Sequence, residues 1–277
     1  MGETHINLML RFPVKVVILC IIAVIGVAGL YSTYLYLNSN DAKNGLTDYE
    51  VTYRVGLDDA DYPPFLVYGE DGEPTGFDPD IIHWIGNEME FNVNFIPIPW
   101  DDIFAALDAK EIDMVMSGVS ITPERMENFL FSDPYLSNSQ SVAISEQGTM
   151  FMDDFYAGQG IIGVQSGTTS EDLAIALLID AGIITEKKLQ TYADIETGAQ
   201  DLVSGNIQFL MTDWPVMVSL VQTHPIHIIG DIDTGEKYGI ALHKDNKKLQ
   251  HVINEGLDRL TASYDWSEMK HRYLLDY

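Results

Sequence analysis

One segment in the first half of the chain predicts its architecture: residues 110–125, which read KEIDMVMSGVSITPER. The apolar run around Met114 predicts a buried strand, and the small residues after it predict a tight turn. Thr122 followed by Pro123 indicates a helix start, with an N-cap residue and then proline at the first helical position. The segment is therefore predicted as strand, turn and helix start, a unit from which α/β folds are built.

This turn carries side chains suited to holding a small ligand. Gly118 permits close approach of the backbone, Ser117 and Ser120 offer hydroxyl groups, and free N–H groups at a helix start attract an anion. Arg125 adds a guanidinium that can bind a carboxylate through two parallel hydrogen bonds. Taken alone, Arg125 has the alternative of a surface ion pair with a neighbouring glutamate.

Three further segments supply candidate site residues. Residues 163–169 read GVQSGTT, again a strand, a small-residue turn and a capped helix, and they present Thr169. Asp213 follows a strand, where it either caps the next helix or receives an ammonium group. Tyr62 and Trp100 follow two earlier strands and either wall an apolar slot or belong to the core.

From residue 51 onward, short apolar runs alternate with amphipathic stretches of helical length, which predicts an α/β fold. Strands are predicted over residues 52–56, 92–96, 113–117, 160–164, 208–211, 226–229 and 238–242. Helices are predicted over residues 79–89, 102–109, 170–181, 195–204, 215–221, 246–261 and 267–275.

No catalytic or metal-binding constellation stands out in the sequence. Residues 158–163 read GQGIIG, but the motif precedes a predicted strand, whereas a dinucleotide-binding loop follows a strand and opens a helix. His224 and His227 have no third metal ligand nearby in sequence. Cys20, the single cysteine, lies in an apolar run, so a disulfide within the chain is excluded. We therefore expect no cofactor, no bound metal and no catalytic residue.

The composition narrows the class of partner. The 277 residues include 15 Lys and Arg against 42 Asp and Glu, for a formal net charge of −27. Nucleic-acid binding needs clustered basic residues, so this charge argues against a nucleic-acid partner. The hydrophobic content of 46% excludes a disordered chain and suffices for one or two cores.

The N-terminal region predicts where the protein acts. Residues 16–37 carry no charge, and as a helix they would be about 33 Å long, the apolar thickness of a bilayer. Arg11 and Lys15 precede this run, which predicts a cytoplasmic N-terminus and an extracytoplasmic remainder. The alternative is a cleaved signal peptide. In both cases the remainder acts at the outer face of the cytoplasmic membrane, either anchored or released.

Six sequence blocks, read together, resemble the family 3 extracellular solute-binding proteins, the amino-acid receptors of ABC importers. These blocks are residues 61–65 (DYPPF), 71–78 (DGEPTGFD), 100–107 (WDDIFAAL), 110–125, 131–135 (FSDPY) and 163–169. The resemblance implies an α/β, two-lobe type II periplasmic-binding-protein fold behind an N-terminal transmembrane or signal helix. It implies an N-terminal stub, helix and tether over residues 1–43, lobe one over 44–144 plus 236–277, and lobe two over 145–235.

The resemblance also implies how the head group of an amino acid is held. By position, Arg125 would hold the ligand carboxylate, together with the backbone around Ser120 and with Thr169 from the other lobe. Asp213 would receive the ammonium group, and Gly118 would present a backbone carbonyl to it. Because a zwitterion carries opposite charges on one carbon, the arginine and the aspartate are expected to face each other when the lobes close.

The side chain of the ligand is implied to lie between Trp100 and Tyr62, with Asp59 at its far end and Ser117 at the neighbouring turn. A buried carboxylate needs a partner, and a tryptophan face attracts a cation. We therefore expect a polar or cationic amino acid rather than a small or apolar one. The alternative for Asp59, in so acidic a chain, is simple solvation.

The leading hypothesis is a monomeric binding protein that delivers an amino acid to ABC permease subunits. One alternative is an enzyme on the same fold, similar to cyclohexadienyl dehydratase, and another is a ligand-sensing ectodomain. Asp213 opposite Arg125 favours the amino-acid receptor, because this pair complements a zwitterion. The end of the sequence at Tyr277, with no output domain after the binding fold, is expected to favour transport over sensing.

Overall fold

A computed structural model of the chain describes residues 49–274, and strands alternate with helices along them. The strands are β1 (Thr52–Asp58), β2 (Val67–Tyr68), β3 (Pro74–Thr75), β4 (Asn92–Ile98), β5 (Met114–Val115), β6 (Phe129–Phe131), β7 (Leu136–Ser145), β8 (Ile162–Gln165), β9 (Leu189–Tyr192), β10 (Phe209–Asp213), β11 (Ile226–Tyr238) and β12 (Ala241–His243). The α-helices are α1 (Phe77–Glu88), α2 (Trp100–Asp108), α3 (Pro123–Asn128), α4 (Met152–Tyr156), α5 (Thr169–Ala174), α6 (Ile195–Ser204), α7 (Trp214–Thr223), α8 (Lys247–Thr261) and α9 (Tyr264–Tyr273). The helix predicted over 170–181 is α5 continued by a π-helical turn at Ile175–Ile179.

The first sheet has the strand order β4-β1-β5-β12-β6 within the described residues. β1 runs parallel to β4 and β5, whereas β12 runs antiparallel to β5 and β6. Helices cover both faces of such parallel strands, so the end of β1 is buried without alternation. Gly256 lets α8 approach α1 closely, since a Cβ there would lie 2.5 Å from Ile85. This sheet and its helices form lobe one.

The second sheet has the strand order β11-β7-β10-β8-β9, again within residues 49–274. β8 is parallel to β9 and β10, while β7 lies antiparallel between β10 and β11. Its core includes the fully buried side chains of Val142, Phe155, Val164 and Phe209. This sheet and its helices, α4 to α7, form lobe two.

The chain passes between the lobes at the beginning of β7 and at the end of β11. Backbone hydrogen bonds join the two crossings, from Tyr135 N to Tyr238 O at 3.0 Å and from Ser132 N to Ile240 O at 2.9 Å. β7 and β11 then pair from Leu136 and Tyr238 onward. This pairing differs from the sequence-based division, which kept residues 136–144 in lobe one and returned to lobe one at 236.

The predicted membrane or signal helix over residues 16–37 lies outside the described residues. Within residues 49–274, no helix combines the length and the apolar character that crossing a bilayer requires. The described residues begin after the predicted tether.

Candidate ligand-binding site

The carboxyl ends of strands from both sheets meet at a cleft with an empty volume of about 300 Å³. Eight of the nine side chains or backbone positions that the sequence predicts lie in its wall, and Asp59 does not. The wall is formed by Asp58, Tyr62, Trp100, Ser117, Gly118, Ser120, Arg125, Gln165, Thr168, Thr169 and Asp213.

Arg125 is fixed at one side of the cleft by short-range contacts. The Thr122 hydroxyl caps α3 by accepting a hydrogen bond from the Arg125 backbone N–H at 3.1 Å, as the sequence predicts. The guanidinium donates to Ser120 O at 3.0 Å and across the cleft to Gly167 O at 3.2 Å. Three of its five N–H donors make no hydrogen bond to the described residues, so they are available to an anion.

Two aromatic rings of α2 lie close to this guanidinium. Its central carbon lies 5.5 Å from the centre of the Trp100 ring and 4.9 Å from that of Phe104. Burial lowers the pKa of Arg125, while the acidic groups around it act in the opposite direction. Because α3 has six residues, the positive charge of this corner comes from Arg125 rather than from a long helix dipole.

Asp213 lies in lobe two at the end of β10, with an exposed fraction of 4%. Its carboxylate accepts hydrogen bonds from the Tyr62 hydroxyl at 2.6 Å, from the Tyr238 hydroxyl and from the Gln140 amide. Burial raises the pKa of Asp213 to about 6, and the negative charge of Glu236 adds to this rise. Since its hydrogen-bond donors among the described residues are all neutral, Asp213 can still pair with a cation.

The turn between β5 and α3 has the conformation for which the sequence supplies glycine. Gly118 has a φ of +60°, and its N–H donates to the Asp78 carboxylate at 2.6 Å. A Cβ at this position would lie 3.1 Å from Cε1 of Tyr62. Burial raises the pKa of Asp78 to about 7, while its hydrogen bonds from Gly118 and from the Tyr135 hydroxyl oppose that rise. The Asp78 carboxylate therefore holds the turn through the Gly118 N–H, and the Tyr62 ring leaves little space for a side chain at position 118.

The wall of the cleft includes Asp58 and not the predicted Asp59. Asp58 is buried and lines the cleft, whereas Asp59 is exposed, so the acidic residue of this end is Asp58. Gln165 Nε2 of lobe two donates to Asp58 Oδ2 at 3.3 Å, and the Asp58 backbone N–H donates to Ser117 Oγ at 3.3 Å. Burial raises the pKa of Asp58 to about 6, against the hydrogen bonds that it accepts.

Sequence reasoning missed Asp58, Gln165 and Thr168 as residues of the wall. Gln165 ends β8 as Asp213 ends the adjacent β10, so the rule that strand ends meet at one edge could have found it. Thr168 is the residue that caps the predicted helix, and its hydroxyl accepts from the Glu171 N–H at 3.4 Å. A residue at a helix cap can also border the cleft, because the cap lies at the strand end.

The two lobes contact each other directly across the cleft. Besides the bonds from Tyr62 to Asp213 and from Arg125 to Gly167, Trp100 Nε1 donates to Gly167 O at 3.1 Å. The bond between Gln165 and Asp58 closes the far end. Charged and aromatic groups of lobe one thus meet strand ends and a loop of lobe two.

Comparison of sequences gives close relatives over most of the chain. The arginine-binding periplasmic protein of Mannheimia haemolytica is 30% identical over 222 residues, which are 77% of this chain and 87% of that protein. The L-cystine-binding protein TcyJ of Escherichia coli K12 is 30% identical over 210 residues, 74% of this chain and 76% of that protein.

Solved structures agree with the fold described above. An ancestral arginine-binding protein bound to arginine has a TM-score of 0.73 and 31% identity, covering 80% of this chain and 98% of its own. The ancestral amino-acid-binding protein AncCDT-1, described as a precursor of cyclohexadienyl dehydratase, has a TM-score of 0.72 and 29% identity, covering 85% and 97% of the two chains. The model of the bacterial extracellular solute-binding proteins, family 3, matches residues 53–276. The chain therefore belongs to the bacterial extracellular solute-binding proteins, family 3.

Proposed function

We propose that this chain captures a free amino acid between its two lobes and delivers it to an ABC importer. The observation that carries the proposal is the opposition of Arg125 in lobe one and Asp213 in lobe two across one cleft. An amino acid has a carboxylate and an ammonium group on the same carbon, so it needs these two partners at once. Closure around the ligand gives a permease a shape that it can distinguish from the free protein.

The head group is proposed to bind at this end of the cleft. The unpaired N–H groups of Arg125 donate to the ligand carboxylate, assisted by the backbone at Ser120 and by Thr169. Asp213 and the carbonyl of Gly118 receive the ammonium group. Each charge-assisted hydrogen bond contributes roughly 1.5–3 kcal/mol. A few of them, after ordering costs, are sufficient for a dissociation constant of about 1 µM or below.

The far end of the cleft supports a basic ligand. Asp58 and Gln165 lie there and offer a carboxylate and an amide to the end of a long side chain. In the cleft wall the two carboxylates of Asp58 and Asp213 outnumber the one guanidinium of Arg125, which favours a ligand with two positive groups and one negative group. The binding of arginine by the Mannheimia relative and by the ancestral protein is consistent with this ligand class.

The place of action follows from the family and from the N-terminal sequence. Proteins of this family are extracellular, and we propose that residues 16–37 hold this one at the outer face of the cytoplasmic membrane. We further propose that it works as a monomer and that its partner is the permease of an ABC importer. Binding without turnover is proposed as well, so the ligand should be recovered unchanged.

A thermal-shift screen tests the proposal. The full-length chain, purified in detergent, is heated with each of the twenty amino acids, with L-cystine and with prephenate. A ligand at 100 times its dissociation constant should raise the free energy of unfolding by about 2.7 kcal/mol. We expect the largest shift with L-arginine or L-lysine, and no shift for Arg125→Ala. Absence of a shift with every amino acid, or consumption of prephenate, would contradict the proposal.

A further inference from the structure

Glu236 is an acidic residue of β11 that lies directly behind two residues of the cleft wall and was not part of the predicted site. Its Oε1 accepts hydrogen bonds from the Ser120 hydroxyl of lobe one and, at 2.7 Å, from the Thr169 hydroxyl of lobe two. Its Oε2 accepts from Gln140 Nε2 at 3.0 Å. The strand pairing of β11 with β7 shifts register between Ile232 and Glu236, which sets this residue apart from the regular ladder. Two cleft residues, one from each lobe, thus donate to one carboxylate.

Glu236 is also the neighbour of Asp213. Gln140 Nε2 donates to both carboxylates, so they lie on either side of one nitrogen atom. The remaining donors to the pair are hydroxyl groups, which are neutral. These hydroxyl groups belong to Tyr62, Tyr238, Ser120, Thr169 and, at 3.4 Å from Glu236 Oε2, Thr234.

Among residues 49–274, no cationic side chain forms an ion pair with either acid. The guanidinium of Arg125 interacts electrostatically with both, but it donates to the carbonyls of Ser120 and Gly167 and not to either acid. Two carboxylates that share neutral donors repel each other, and the burial of Asp213 makes that repulsion costly, although Glu236 itself is only half-buried. A positively charged group placed between Asp213 and Glu236 would remove the repulsion.

We propose that Glu236 is a second acceptor for the α-ammonium group of the ligand, so that two carboxylates, one from β10 and one from the lobe-connecting strand β11, form the ammonium subsite. The inference rests on the proposed function. An ammonium group has three N–H donors, which match Asp213, Glu236 and the carbonyl of Gly118. Glu236 also accepts hydrogen bonds from a residue of each lobe, so the ammonium group binds where the two lobes connect.

Two consequences distinguish this role from a structural one. The ligand must carry its α-amino group to gain from Glu236, so an analogue with hydrogen in its place gains nothing. The pKa of Asp213 must also depend on Glu236, because the negative charge of Glu236 contributes to raising it. Among the described residues, Tyr62, Tyr135, Tyr238 and Arg125 are the other titratable groups that interact with this pair. The pKa values of the three tyrosines are raised well above their ordinary value and an arginine stays protonated, so none of these groups changes its protonation state between pH 5 and 8.

The test compares wild-type full-length protein with Glu236→Gln, which keeps an oxygen for the hydroxyl donors. Titration calorimetry is done with the amino acid that gives the largest thermal shift, L-arginine in our proposal, and with its analogue lacking the α-amino group. We expect the variant to lose at least tenfold in affinity for the amino acid and to bind the analogue as the wild type does. The pH at which amino-acid affinity is half lost should move downward in the variant.

Asp231→Asn is the matched control, because Asp231 lies on the same strand and also accepts a hydrogen bond from a serine hydroxyl. It should leave both affinities unchanged. Glu236→Asp, which keeps the charge, should retain the wild-type pH midpoint and serves if the glutamine variant does not fold. Equal loss for both ligands, or an unchanged affinity and midpoint, would overturn the proposal while leaving amino-acid binding intact. A wild-type protein that binds no amino acid would overturn both proposals.

Discussion

Replacement of Asp58 by asparagine should make the ligand-free protein more stable and the complex weaker. The pKa of Asp58 is raised from 3.8 to about 6 by burial, a shift of roughly 2 units and therefore about 3 kcal/mol. Because the folded state holds this proton more tightly, the stability of the fold falls as pH rises from 3.8 through 6. At pH 7.5 the whole penalty is present, and an asparagine of the same shape removes it.

The expected size follows from these values. The free energy of unfolding of Asp58→Asn at pH 7.5 should exceed that of the wild type by up to about 3 kcal/mol, which corresponds to a rise in Tm of up to about 6–12 °C. The same change removes one charged partner from the far end of the cleft, so affinity for L-arginine should fall roughly 10- to 100-fold. Affinity for a short amino acid such as L-alanine should not change, because its side chain does not reach Asp58.

Urea denaturation and titration calorimetry on the full-length protein measure both effects. Asp59→Asn is the matched control, since Asp59 is the exposed neighbour with the same chemistry. It should alter neither the stability nor the affinity for L-arginine. The reasoning is refuted if Asp58→Asn lowers stability at pH 7.5, or if it leaves L-arginine binding as tight as in the wild type.

Three further predictions concern the head-group end of the cleft. Arg125→Ala should weaken amino-acid binding at least a hundredfold in calorimetry, about 2.7 kcal/mol, whereas Arg259→Ala, which breaks exposed ion pairs on α8, should not. Because Asp213 has a pKa of about 6 and must be ionised to hold an ammonium group, affinity should be about tenfold lower at pH 5 than at pH 7.5. Gly118→Ala should lower the free energy of unfolding by about 1–2 kcal/mol through its positive φ, and by more through crowding. Gly235→Ala has a similar φ of +63° in open space, so it isolates the first effect, and a cost equal to that of Gly118→Ala would contradict the crowding argument.

The α/β alternation and most elements could be predicted from the sequence, but five strands and one short helix could not, and the longest of these is β7. Its sequence, LSNSQSVAIS, is polar in the first half, and polar residues without alternation do not predict a strand. In the structure Asn138, Gln140 and Ser141 are buried, and their side chains take part in hydrogen bonds at the connection between the lobes. The same polar residues that keep β7 from being predicted provide the hydrogen bonds beside the cleft.

The confusion of Asp58 with Asp59 has a different cause. A strand with one solvated face shows alternation, and alternation fixes which residue faces inward. β1 is buried from Val55 to Asp58 without a break, so the pattern carries no register information at its end. Glu236 was missed for a third reason, since one glutamate among 42 acidic residues gives no signal until the fold brings it to Ser120 and Thr169.

The position of β12 has a consequence for the order in which the protein is built. β12 lies in the interior of the first sheet, between β5 and β6, yet it follows the whole of lobe two in the chain. The chain is synthesised from its N-terminus, so all strands of lobe two have been made once Tyr238 is added. At that point the first sheet still lacks β12. Until Ala241–His243 arrive, β5 and β6 present unpaired edges, which are sites of aggregation. A chain truncated shortly before residue 241 should therefore be a poorer candidate for a soluble fragment than lobe two by itself.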